Sequence, residues 1–512
     1  MVEFLILWKL NIGWKKELTS KINTPIIKTI VKSYKHWILF ILSVVQSAYL
    51  YRQISDFRWI GSDDLLTLTL INQESFKEFI TSLKSGLNVF PPFYFFSAYL
   101  LVQTFEFSKE ILLWIHIPLL WISILLTYKL FRCFTNWQIA CFSTFSIATI
   151  KSAFLTQSIY VRPYCLYYCA SLATALTAIN FQKKQSKLNF LLYWTAFQVL
   201  THTHYYGLPI GMLVSIPLIF CQLSNGIKLM ALVITLAPTF LTYVYFLPDQ
   251  LGFLFFVGTT GSTTLQDIIS YYRALSFPAI FCFVVFLIFS LFNKEKVYAK
   301  NNVPIGLLLL GASPLIIIAS LSVTVGEGTY LRYFIPAQIG IVAFAIWFIS
   351  LIRPLTLSRK STTPLILISF ILMIAWSIRN FSNKRPSIER NYPGSMDFDH
   401  STLKDSKIPF FTSHLPTFLK IIHDPDWPLK SNLLRTNEAD FIELSKFSKI
   451  LAPKSKEDLE SLDKFIYHFY YSGPHSIIDF DPILWANVNN YTIFEMNHYP
   501  LVLQFTRNKD TF

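Results

Sequence analysis

The chain has 512 residues, of which 53% are hydrophobic and only 14% charged, with a mean hydropathy of +0.44. A soluble domain carries about a quarter charged residues, so the missing charge, with apolar residues bunched into runs of membrane-spanning length, points to lipid rather than to a water-soluble fold. The formal net charge of +14 sits mainly in short connections between those runs, so membrane topology accounts for it and no nucleic-acid partner is expected.

The first segment, 1–36, carries Lys9, Lys15, Lys16, Lys21, Lys28, Lys32 and Lys35. Its apolar core is too short for a signal peptide and no small-residue cleavage site follows, so it reads as a cytoplasmic basic segment lying on anionic lipid. Spanning helices are then expected at 37–52, 111–131, 138–156, 164–181, 188–203, 205–222, 227–247, 274–292, 304–323, 333–352 and 363–380. This makes a polytopic α-helical membrane protein with a bundle of about 11 transmembrane helices (10–13, given the uncertain ends).

The stretch 91–105 opens on two prolines and is short, which suits an interfacial helix within a first outer loop over 54–110. With the N-terminus inside, the inner connections hold Arg132, Lys183, Lys184, Lys187, Lys228, Lys294, Lys296, Lys300, Arg353, Arg359 and Lys360. The outer ones hold acids, His, Tyr and Gly, and the odd count of spans exports the C-terminus. The last part, 381–512, is polar and proline-punctuated. It ends in strand-like "SIIDFDPILWANVNNYTIFEM" and "PLVLQFTR", expected to form a small α/β extracytoplasmic domain.

Cys133, Cys141, Cys165, Cys169, Cys221 and Cys282 all lie in or beside apolar runs. That argues against a disulfide framework and a metal cluster. Cys165 and Cys169, one helical turn apart, read as small buried side chains.

The unusual polar groups gather on the outer side. In "WIGSDDLLTL", Ser62 or Asp63 could cap a short helix "DLLTLTLI" with the acids complementing its dipole, and Asp63 could equally serve as a proton acceptor at the mouth of an apolar cavity. "NVFPPFYFF" is a proline-started helix that can hold the acidic loop in place. In "SIYVRPYCLYY", Arg162 at the end of a span either snorkels to lipid phosphate or clamps a phosphate ester, with Tyr164 beside it. "THTHYYGL" offers His202, His204 and Tyr205; two histidines at i, i+2 do not share a helix face, so a common metal would need extended backbone. "EGTYLRYFIP" adds Arg332 and Tyr333.

Taken in order, these motifs resemble the GT-C membrane glycosyltransferases, in the bacterial branch related to protein O-mannosyltransferases and the lipid A aminoarabinose transferase. "SDDLLTL" stands for the family's Asp-Glu pair, "VFPPFYFF" for His-Pro-Pro-Leu-Tyr-Tyr, and "YVRPYCLYY" for Glu-Ala-Arg-Pro-Tyr. "THTHYYGL" stands for Thr-His-Tyr and "RYFIPA" for Arg-Tyr-Leu-Leu-Pro-Ala. The chain departs from the pattern at Asp64 (Glu in relatives), Phe90 (His) and Tyr160 (Glu).

The resemblance implies an inverting enzyme that takes sugar from a polyprenyl-phosphate-linked donor to a hydroxyl on a polysaccharide, glycolipid or protein at the outer face. It implies Asp63 as general base with Asp64 beside it, and Arg162, Tyr164, His202, His204, Tyr205, Arg332 and Tyr333 in substrate binding. No cofactor is implied, and no ligand set for a divalent metal stands out. A flippase of lipid-linked sugars, or a non-catalytic assembly protein, are the alternatives; the first would show paired repeats or interrupted helices in two halves, which the sequence lacks.

Overall fold

The structure is a computed structural model. It describes residues 39–48, 62–84, 89–105, 114–149, 160–221, 224–257, 265–292, 303–324 and 331–352, and five strands further on. In chain order the helices are α1 (Leu39–Ala48), α2 (Ser62–Ile71), α3 (Phe76–Lys84), α4 (Phe93–Phe105), α5 (His116–Arg132), α6 (Trp137–Thr149), α7 (Tyr164–Lys183) and α8 (Lys187–Thr203). They continue as α9 (Gly207–Ser215), α10 (Asn225–Val257), α11 (Leu265–Leu275), α12 (Phe277–Phe292), α13 (Ile305–Thr324) and α14 (Ala337–Ile352). The expected segments 1–36 and 363–380 lie outside the described residues.

Helix α7 is the central post. It packs on α5, α8 and α9, and fourteen of its twenty residues are buried. Such a helix, apolar all round, belongs inside a bundle. The opposite pattern holds at the periphery. Leu229, Leu232, Val233, Phe240, Leu241 and Val244 on α10 are all more than half exposed. Apolar residues facing outward along a helix of mean hydropathy 1.8 over Gly226–Leu251 are what a lipid-facing surface requires.

Three expected spans differ in detail. The run 205–222 is not one helix: α9 ends at Ser215 and a 3-10 turn covers Ile216–Phe220. Pro217 has no N–H to continue the α ladder. The span at 227–247 is longer than expected, because α10 runs on through Pro238 and Pro248 to Val257. The span at 274–292 is preceded by α11, and the two meet at a bend of 52° just before Pro278. The stretch 91–105 forms α4, which begins after Pro91 and Pro92. Among the described residues, one helix, or two counting that bent pair, is long and apolar enough to cross a membrane; α1, α4, α6, α9, α13 and α14 are apolar but shorter.

The strands β1 (Phe410–Thr412), β2 (Ser431–Leu433), β3 (Lys464–Phe469), β4 (Tyr491–His498) and β5 (Leu501–Arg507) form one mixed sheet in the order β2-β1-β3-β5-β4. β1 is parallel to both neighbours, while β5 is antiparallel to β3 and β4, with a register shift between Glu495 and Asn497. The two strands expected at the end of the chain are thus a hairpin.

Candidate functional site

The turn between α8 and α9 centres the site. Helix α8 ends at Thr203, and His204 leaves it in extended backbone (φ −151°, ψ 137°). The N–H of Gly207 then donates to the His204 carbonyl at 2.7 Å and starts α9. Gly207 lies so close to Leu200 that a β-carbon there would collide with its backbone carbonyl, so only glycine lets α9 fold back here.

This reversal sets His204 into a box of rings. Its imidazole stacks on Tyr167, with centroids 4.6 Å apart and planes 27° apart. Phe90, Tyr333 and Tyr206 stand at 5.1, 5.2 and 5.5 Å, and Tyr164 at 6.0 Å. The Tyr167 hydroxyl donates to the Tyr333 carbonyl at 3.0 Å and ties α7 to the turn before α14.

His204 is 2% exposed. Its Nδ1 accepts the Tyr206 N–H at 3.1 Å, which fixes the neutral tautomer with hydrogen on Nε2. Nε2 has no hydrogen-bond partner among the described residues. Burial, seconded by the Arg332 charge, lowers the His204 pKa from 6.5 to about 3, so the ring is neutral at physiological pH.

Two guanidinium groups border this box. Arg162 is 5% exposed, and its guanidinium carbon lies 5.7 Å from the Phe90 ring centroid. Arg332 lies 5.7 Å from both the Tyr164 and Tyr333 centroids. Arg162 is buried and Arg332 partly buried, each over an aromatic face, and the planar donors of a guanidinium match the geometry of a phosphate. Arg162, Tyr164, His204, Arg332 and Tyr333, drawn from three separate stretches of sequence, therefore converge.

His202 and Tyr205 lie elsewhere. His202 turns away: its Nδ1 donates to the Gln198 carbonyl at 2.8 Å, and its Nε2 is 2.9 Å from the Thr242 hydroxyl on α10. The Tyr205 ring packs edge-on to Tyr243, and its hydroxyl donates to Gln250 Oε1 at 2.7 Å. Asp63 and Asp64 occupy the first turn of α2, whose backbone is a helix as expected; their side chains lie outside the described residues. α2 packs on α4, and α4 packs on α8. Among the described residues no three His, Cys, Asp or Glu converge as metal ligands do.

Three contributors escape a reading of sequence alone. Tyr167 is three residues from Tyr164 on the same helical face, a spacing that could have revealed it. Phe90, at the entry to α4, closes the box edge-on to His204. Gln250 is fully buried near the end of α10: its amide donates to the carbonyls of Leu83 at 2.8 Å and Phe90 at 3.2 Å while accepting from Tyr205. One side chain thus holds α3, the approach to α4 and the α8–α9 turn together. Lys84 and Asp249 pair alongside at 3.4 Å.

No protein-family model and no curated protein matches the sequence. Solved structures do. ArnT from Cupriavidus metallidurans bound to undecaprenyl phosphate superposes with a TM-score of 0.56 at 10% identity, covering 93% of this chain and 98% of that one. The same protein in its apo state gives 0.56 and 10%, covering 92% and 98%. The archaeal oligosaccharyltransferase AglB from Archaeoglobus fulgidus, in complex with an inhibitory peptide and a dolichol-phosphate, reaches 0.41 at 13% identity over 85% of this chain and 69% of its own. The superposition on ArnT spans nearly the whole length of both chains: this chain has the fold of ArnT.

Proposed function

We propose that the protein is an integral-membrane glycosyltransferase that moves a sugar from a polyprenyl-phosphate-linked donor to an acceptor hydroxyl at the outer face of the membrane. The observation that carries this reading is the pairing of Arg162 and Arg332 around one aromatic box, in a bundle with the ArnT fold. Two guanidinium groups suit the phosphate of the donor, and the rings give a sugar flat apolar faces to lie against.

The reaction is a single displacement. The acceptor oxygen attacks the anomeric carbon as the bond from that carbon to the phosphate oxygen breaks, and the acceptor proton passes to the Asp63 carboxylate. Polyprenyl phosphate leaves with the electron pair, and the anomeric centre inverts. Arg162 and Arg332 stabilise the charge growing on the leaving phosphate, where preorganised donors contribute most. His204, neutral, can only donate through Nε2 or pack; it carries no charge to the site.

Asp63→Asn tests the proposal. In a deletion strain complemented with the variant, mass spectrometry of cell-surface glycans is expected to lack one sugar residue. Transfer should fall about 10²–10⁴-fold, while the variant remains in the membrane at wild-type level. Unchanged glycans would remove Asp63 from the role of base. Global loss of the glycan with stalled lipid-linked intermediates would favour a flippase.

A further inference from the structure

A second cavity, of about 610 Å³, lies at the other end of α8 from His204. Phe190, Phe197, Leu213, Ile219 and Leu232 wall it, with Lys228 at its margin. Its few other polar groups are engaged: the Tyr193 hydroxyl is bonded to Ser215 Oγ at 2.8 Å, and Thr235 donates within its own helix to the Ala231 carbonyl at 2.7 Å. Several wall residues also face outward, Ile219 being 65% exposed, Leu229 63% and Leu232 53%. The cavity therefore opens sideways through an apolar surface, and its volume falls within the usual range of small-molecule sites.

The charge around it has one sign. Lys228 Nζ donates to the Ile219 carbonyl at 3.0 Å, which fixes the ammonium beside the opening with two donors to spare. Lys183, Lys184 and Lys187 are exposed on the connection between Phe181 and Phe190, both wall residues. An apolar slot with Lys228 at its opening and three exposed lysines on the connection between two of its wall residues is complementary to a chain that ends in an anion.

We propose that this cavity binds one anionic glycerophospholipid, an acyl chain in the slot and the headgroup phosphate on Lys228. A compact ammonium suits a phosphodiester at a membrane interface, where each nearby lysine adds to the attraction for anionic lipid. A polyprenyl phosphate held by Arg162 and Arg332 cannot supply that headgroup. From Phe190 to His204 the chain advances 14 residues, about 20 Å along the helix axis at roughly 1.5 Å per residue. The site is distinct from the sugar-transfer reading and does not depend on it.

Native mass spectrometry of the delipidated full-length protein, given dioleoyl phosphatidylglycerol or dioleoyl phosphatidylcholine, tests the assignment. One phosphatidylglycerol is expected to remain bound, preferred about tenfold over phosphatidylcholine. Lys228→Gln should abolish the preference while leaving chain retention. Ala231→Trp should fill the slot and release the lipid, with size-exclusion chromatography verifying a folded variant. Equal retention of both lipids by the wild type, or no effect of Lys228→Gln, would overturn the proposal. Undecaprenyl phosphate displacing phosphatidylglycerol at equal concentration would assign the slot to a polyprenyl tail instead.

Discussion

His204 shows how one side chain's chemistry is set by its neighbours. Above pH 6.5 the ring is neutral both in the fold and in the unfolded chain. Below that, the unfolded chain takes up a proton that the buried ring refuses until about pH 3. The unfolded state then binds more protons, so stability falls as pH falls from 6.5 toward 3. Thermal unfolding of the detergent-solubilised protein should show this slope, and His204→Asn should flatten it. An imidazole that titrates near pH 6.5 by ¹⁵N NMR would mean the box is wet. Gln250 carries a different expectation. Gln250→Leu leaves the Leu83 and Phe90 carbonyls and the Tyr205 hydroxyl without their partner, at about 1–3 kcal/mol for each group that stays buried. The melting temperature should drop by several degrees, with transfer weakened as Phe90 loosens from the box.

These residues also show what a sequence can and cannot disclose at this scale. Arg162, Tyr164, His204, Arg332 and Tyr333 were legible because they sit in ordered polar motifs that gather on one side of the apolar runs. Gln250 was not, because an uncharged amide in "PDQLGF" has no periodicity or partner nearby; its contacts lie 45 to 167 residues away. His202 and Tyr205 sat in the right motif, and only the backbone turn at His204 decides which side chains enter the box.

At the scale of helices, hydropathy located the runs but not their ends. Composition windows do not register that Pro217 ends α9 or that α10 survives two prolines. Pro238 cannot donate to the Ile234 carbonyl, and in a membrane no water takes its place. The Trp194 indole takes that carbonyl at 3.1 Å, and the Gln198 amide the next one, on Thr235, at 2.7 Å. With His202 on Thr242, residues 194, 198 and 202 form an i, i+4, i+8 stripe that fastens α8 to α10.

Helices α13 and α14 use small residues instead. A β-carbon on Gly340 would overlap the backbone of Gly311 and crowd the Leu307 carbonyl, so the two backbones touch. Gly340→Ala must part them, and a cost of about 1–3 kcal/mol or more is expected, as in other overpacked cores. Alanine at Gly226, where a β-carbon meets nothing within 4 Å, should be tolerated. Unfolding in detergent distinguishes the two.

For the whole molecule, lack of charge and the spacing of apolar runs conveyed a membrane bundle, and alternation pointed to strands near the end of the chain, whose pairing as a hairpin it did not reveal. The parallel strands β1 and β2 were not legible, since three-residue strands carry too little pattern. The proposed orientation, with the basic N-terminal segment inside and the sheet outside, makes a direct prediction. A periplasmic phosphatase fused after Phe512 should be active, and a fluorescent protein there dark; the reverse would invert the topology.

Helix α10 supplies a depth gauge for the molecule. Its only charged residues are Lys228 and Asp249. They stand 21 residues apart, about 31 Å at roughly 1.5 Å per residue, which is close to the thickness of a bilayer's hydrocarbon layer. The two charges thus mark the waterlines. In the proposed orientation Asp249, paired with Lys84, stands at the outer waterline, and no translation along the membrane normal by more than a turn would keep both charges wet. On the proposed reading, the depth of the box is set by this one helix, and membranes a few ångströms thinner or thicker should tilt it rather than shift it.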